Sequence, residues 1–167
     1  MLGVYRIISY LLMFVAFFMS MGIFTILGPA FSNPALLLPV FIAGGVVLYS
    51  VSSFQFLQKG IRGGRKMKPS RKDFIKVNAY VSLAFALLNI FQTFTLIADP
   101  AVLKEVMRQL ETMPKNEIPF STDQLYTLIK VILWLLLGYA IALIVHVQIT
   151  FRLLKIYAGV FDASQEP

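Results

Sequence analysis

Four stretches of this chain each run for more than twenty residues without a charged side chain: Ile7 to Leu27, Ala35 to Gln58, Val77 to Ala98 and Val131 to Phe151. Charges return at their borders, at Arg6, Lys59, Lys76, Asp99, Lys130 and Arg152. About 20 residues rising ~1.5 Å each cross a hydrocarbon layer of ~30 Å. Backbone polar groups in lipid must be satisfied within the segment, which selects helices. The expected fold is therefore an all-α, integral membrane four-helix bundle forming a single domain over residues 1–167. Its helices are predicted at about 5–28, 34–58, 70–98 and 121–158.

Composition supports a lipid solvent. Charged residues make up 14% of the chain and hydrophobic ones 58%, whereas a soluble domain carries roughly 25% charged residues. A secretory signal peptide is the competing reading of the first run. That run is longer than the roughly 7–15 residues of a signal peptide's apolar core, and no small-x-small cleavage site follows it, so a retained helix is expected.

Boundary chemistry punctuates the spans. Gly28-Pro29 reads as the close of the first helix. Asn33-Pro34 and Asp99-Pro100 read as a cap followed by proline in the first helical turn. Ser70-x-x-Asp73 and Ser121-x-x-Gln124 read as capping boxes for the third and fourth spans. Pro39 and Gly44-Gly45 suggest a bend or close packing in the second. The short first connection predicts an antiparallel hairpin.

The net charge of +7 has a single source. Lys59, Arg62, Arg65, Lys66, Lys68, Arg71, Lys72 and Lys76 lie between the second and third runs against one acid, Asp73, and the remaining seven bases and seven acids cancel. The connection from Asp99 to Asp123 holds three bases and five acids. Basic loops stay cytoplasmic, so both termini are expected inside, in a bacterial-type cytoplasmic (inner) membrane. These residues read as a topology signal that also meets anionic headgroups. Nucleic acid is not expected: "RGG" occurs once without aromatic repeats, and the glycine pair lacks phosphate-loop spacing.

Between the third and fourth spans, "PAVLKEVMRQLETM" places Val102, Leu103, Val106, Leu110 and Met113 on one helical face. This predicts a short amphipathic helix over about 100–113 on the outer side, with Phe120 and Tyr126 as interfacial anchors and Lys130 snorkelling to headgroups. The last span is expected to continue to about Gly159, with "VFDASQEP" as a frayed tail.

The polar residues inside the spans bound the function. There is no cysteine and one histidine, which excludes disulfide and multi-histidine metal chemistry. No Asp or Glu lies within a span, although proton-coupled carriers and intramembrane acid–base enzymes usually need an ionisable group at depth. Asn78, Ser82, Phe85, Asn89, Gln92 and Thr93 share one narrow face of the third span. Gly138, Ala142 and His146 recur at i, i+4, i+8 on the fourth, where small residues permit close helix approach. His146, Ser82, Ser53 and Asn78 lie at similar depth, so an intramembrane polar cluster of Asn78, Ser82, Asn89, Gln92, His146 and Ser53 is a candidate site. Interhelical hydrogen bonding is its plainer reading. No catalytic, cofactor or metal constellation emerges and the cofactor is unknown.

The leading expectation is a small non-enzymatic polytopic protein, an accessory, assembly or scaffold subunit working with other membrane subunits or with itself. A small transporter or channel using the polar stripe of the third helix, and a quinone-linked or other membrane enzyme subunit using His146, stand as alternatives.

Overall fold

The computed structural model describes residues 1–111 and 121–161, and every described element is helical. Five α-helices follow in order: α1 (Leu2–Ser32), α2 (Leu37–Gln55), α3 (Pro69–Ala98), α4 (Pro100–Glu111) and α5 (Thr122–Ile156). A 3₁₀ turn, Pro34–Leu36, precedes α2; a π-helical segment, Phe56–Arg62, extends it; and a 3₁₀ turn, Ala158–Phe161, follows α5. Four of these helical segments are long and apolar enough to cross a membrane, as a multi-pass membrane protein requires.

The helix ends outrun the apolar windows. Gly28-Pro29 does not close α1, which carries Pro29 inside it and ends at Ser32. Proline removes one backbone donor but keeps a helical φ, and apolar surroundings favour continued internal pairing over an open turn. Ser70 is the second residue of α3 rather than its cap, and Asp73 meets Lys76 at 3.8 Å. The other caps form as the sequence predicts. The Asn33 side chain accepts from the Ala35 N–H at 3.2 Å and the Asp99 carboxylate from that of Ala101 at 2.9 Å. Ser121 and Gln124 exchange reciprocal bonds at 3.0 and 3.3 Å.

The chain divides into two compact units, Met1–Phe85 with Ala142–Pro167, and Ala86–Ile141. In the first, Tyr10 at the start of α1 packs on Phe54 at the end of α2, and its hydroxyl accepts from the Gln58 amide at 3.0 Å. The two helices are therefore antiparallel. Gly45 lets α3 approach α2: a Cβ there would lie 2.5 Å from a Val81 methyl. Tyr80 of α3 rests on Phe151 of α5, their rings 5.3 Å apart. The core of this unit includes Leu12, Val46, Tyr49, Phe56, Leu143 and Val147, all fully buried.

The face of α5 that packs inward is not the small-residue ladder. Gly138 is exposed and Ala142 half-buried, while Ala140, Leu143, Val147, Thr150 and Leu154 are buried. An i, i+4, i+8 ladder drifts by about 80° over its length at 3.6 residues per turn, so only its His146 end turns inward. In the second unit, of the face predicted for α4, Leu103 is buried and Val102 exposed, and Met107, which follows Leu103 at i+4, is buried beside it. Val106 and Leu110 have no described side-chain placement, and Met113 and Phe120 lie outside the described residues.

The basic loop is built rather than slack. After the π-helical segment, Gly64 takes a left-handed φ of 58°, a conformation glycine adopts without a Cβ penalty. The Met67 N–H then donates to the Val160 carbonyl at 2.8 Å, and the Lys66 ammonium to the Gly159 carbonyl at 3.2 Å. Phe161, buried, packs on Phe56. Phe161 therefore belongs to the core, and half-buried Val160 is held by its paired carbonyl, so neither is part of a frayed tail. The other residues of that tail lie outside the described residues.

Candidate functional site

Three of the long helices each carry a polar pair one turn apart: Tyr5 and Ser9 on α1, Tyr49 and Ser53 on α2, His146 and Thr150 on α5. Residues four apart share a helix face, so each pair presents two polar groups to the same neighbour. All six residues are buried, and Tyr5, Ser9, Tyr49 and Thr150 gather with His146.

Both ring nitrogens of His146 are occupied. Nε2 lies 2.8 Å from the Ser9 hydroxyl and Nδ1 lies 2.7 Å from the Tyr49 hydroxyl. The Tyr5 ring stacks on the imidazole, centroids 4.4 Å apart and planes 9° from parallel, while Tyr49 meets it edge-on at 5.6 Å. Proton counting assigns the directions. Ser9 has one hydroxyl proton and gives it to the Tyr5 carbonyl at 2.7 Å, since a carbonyl can only accept. Ser9 must then accept from Nε2–H. For an uncharged imidazole Nδ1 is a lone pair, so the Tyr49 hydroxyl donates to it. The Thr150 hydroxyl lies 2.8 Å from the Tyr49 oxygen, 2.9 Å from the His146 carbonyl and 3.4 Å from the Tyr5 oxygen, with one proton to offer among them. The Tyr5 hydroxyl donates to the Ser53 carbonyl at a longer 3.4 Å.

The same contacts tolerate a second arrangement. A ring protonated at both nitrogens would donate from Nδ1 to Tyr49, Tyr49 to Thr150, and Thr150 to the His146 carbonyl. It differs from the first by one added proton, at Nδ1, and by rotation of the Tyr49 and Thr150 hydroxyls. No buried side-chain nitrogen or oxygen lacks a partner among the described residues, and no acidic side chain takes part in these contacts. Nor do the described residues include a group of three metal-ligating side chains.

The residues expected to gather with His146 divide. Ser53 joins through its carbonyl, while its own hydroxyl donates to Ser50 at 3.1 Å. Asn78 and Ser82 are buried but bond along α3, to the carbonyls of Phe74 and Asn78, at 2.8 Å each. Asn89 is half-buried and Gln92 exposed, although Thr93 is buried. Gln92 sits about 80° from Ser82 around the helix at 3.6 residues per turn, at the edge of the face rather than on it.

Of the eight basic loop residues, Lys59, Arg62, Arg65, Lys66, Lys68 and Arg71 are exposed, and Lys72 and Lys76 half-buried. Arg62 and Arg71 donate to the amide oxygens of Gln58 and Gln55, at 3.2 and 3.4 Å.

In the second unit, the Lys130 ammonium lies over the Tyr126 ring, 4.3 Å from its centroid. Comparison with known families, curated proteins and solved structures yields no match to this chain.

Proposed function

We propose that this chain is a small non-catalytic polytopic membrane protein, an accessory, assembly or scaffold subunit that works beside other membrane subunits or copies of itself. The observation that carries this reading is the closure of the His146 cluster. Its polar groups are spent on one another, which is how buried polar networks fix a unique helix arrangement. A quinone or other ligand at His146 would first have to displace Ser9 or Tyr49 from a ring nitrogen. A transport path along α3 would draw on Asn89, but Asn78 and Ser82 are committed to their own helix.

The broad exposed apolar faces, with Phe14, Phe17, Phe24, Phe91 and Phe94 all more than 60% exposed, suit acyl chains and neighbouring transmembrane helices. In the proposed orientation the basic loop and both termini face the cytoplasm of a bacterial-type inner membrane, with α4 lying amphipathically on the outer side. The exposed lysines and arginines of the loop then meet anionic headgroups.

Crosslinking in native membranes followed by purification in mild detergent tests the subunit role. The expected product is a defined assembly with itself or with a second membrane protein; a lone monomer overturns the proposal. A reporter inserted after Gly64 tests orientation, and its appearance on the outer side would refute it.

A further inference from the structure

The second unit holds a feature that the subunit reading leaves unused: a cavity of about 350 Å³. Leu96 and Ile97, near the end of α3, form one wall; Leu103 of α4 and Leu133 of α5 form the floor, each no more than 6% exposed. Tyr126 and Trp134 of α5 complete the lining, and Lys130 is its one charged residue among the described residues. Trp134 is 62% exposed and Ile97 42%, so the lining is not fully enclosed. Small-molecule sites have this make-up: roughly 300–1,000 Å³, mostly apolar and aromatic walls, and a few polar groups that set orientation.

The lining specifies an occupant by its chemistry. The walls are aliphatic or aromatic except at one place. There, the Lys130 ammonium meets the face of Tyr126 and forms no ion pair with a carboxylate among the described residues. One cation beside an apolar pocket matches a molecule with one negative head and one hydrocarbon chain. A neutral lipid leaves the ammonium unanswered. A two-chain lipid brings a second chain to a volume near the lower end of the small-molecule range.

We propose that this cavity binds a long-chain fatty acid, its carboxylate paired with Lys130 and its chain laid against Leu103, Leu133 and Trp134. The aromatic ring under the ammonium positions the cation and leaves its N–H donors free for the carboxylate.

Trp134 is the chain's single tryptophan, so it reports on the cavity directly. The full chain is reconstituted in phosphatidylcholine vesicles, and its fluorescence is followed as stearic acid brominated at mid-chain is added. Saturable quenching is expected. Lys130→Gln raises the half-saturating mole fraction about tenfold, the scale of one charge-assisted hydrogen bond, and Lys130→Arg largely preserves it. The brominated alcohol of the same chain length quenches weakly and alike in all three proteins. Quenching that rises linearly with mole fraction, equal for acid and alcohol and for every variant, marks mere lipid exposure of Trp134 and overturns the proposal. Lys130-dependent quenching by brominated phosphatidylglycerol, but not by the brominated acid, also overturns it in favour of a phospholipid.

Discussion

The His146 cluster and the Lys130 cavity treat polarity in opposite ways. Around His146, five side chains from three helices complete one another, and the site is full. Around Lys130, the protein supplies a cation, an aromatic face and an apolar hollow, while among the described residues no carboxylate answers the charge. Polar groups that satisfy each other specify a fold. Polar groups left facing a hollow specify a guest.

That contrast predicts a graded set of stability effects, measured by unfolding the protein in detergent. Removing the hub should cost most. His146→Ala is expected to destabilise by about 3 kcal/mol, because it opens a cavity beneath Tyr5 and removes the ring nitrogens that link Ser9 of α1 and Tyr49 of α2 to α5; a loss below about 1 kcal/mol would mean that the cluster does not hold the helices together. Tyr49→Phe should follow at about 1–2 kcal/mol, since it leaves Nδ1 buried without a donor. Ser82→Ala, though equally buried, should change stability by less than about 0.5 kcal/mol: its hydroxyl bonds only to its own helix, and a helix carbonyl keeps its backbone partner. Lys130→Gln should be smallest, within about 0.5 kcal/mol, as is usual for an exposed substitution. A large loss there would erase the distinction between the two regions by giving Lys130 a structural task.

The long spans were legible because length without charge is a property of the chain alone. Their ends were less so. Pro29 looked like a stop because proline interrupts helices in water, yet α1 continues three residues beyond it. His146 was legible as a buried polar residue, but most of its partners were not. Taken singly, Tyr5, Tyr49, Ser9 and Thr150 carry no signal of a partner, since one tyrosine or one small hydroxyl in an apolar run has many uses. The signal that could have found them is the repetition of a polar i, i+4 pair on three separate apolar helices. Gln92 lies at one edge of the α3 stripe and is exposed, whereas Thr93, about 20° from Ser82 around the helix, is buried. The cavity was beyond reach, since its walls come from α3, α4 and α5 and its volume depends on how their side chains stack.

The union of the basic loop with the turn at Gly159 and Val160 has a consequence in time. Lys66 and its partner carbonyl are 93 residues apart. At roughly 5–20 residues per second, a ribosome delivers the second about 5–20 s after the first. Throughout that interval the loop lacks its tie to this turn, while the next two spans are still being made. In the proposed orientation, the membrane sorts the chain by charge first and the late-arriving turn fastens the result, so a defect at Val160 or Phe161 would surface as a failure of maturation rather than of insertion.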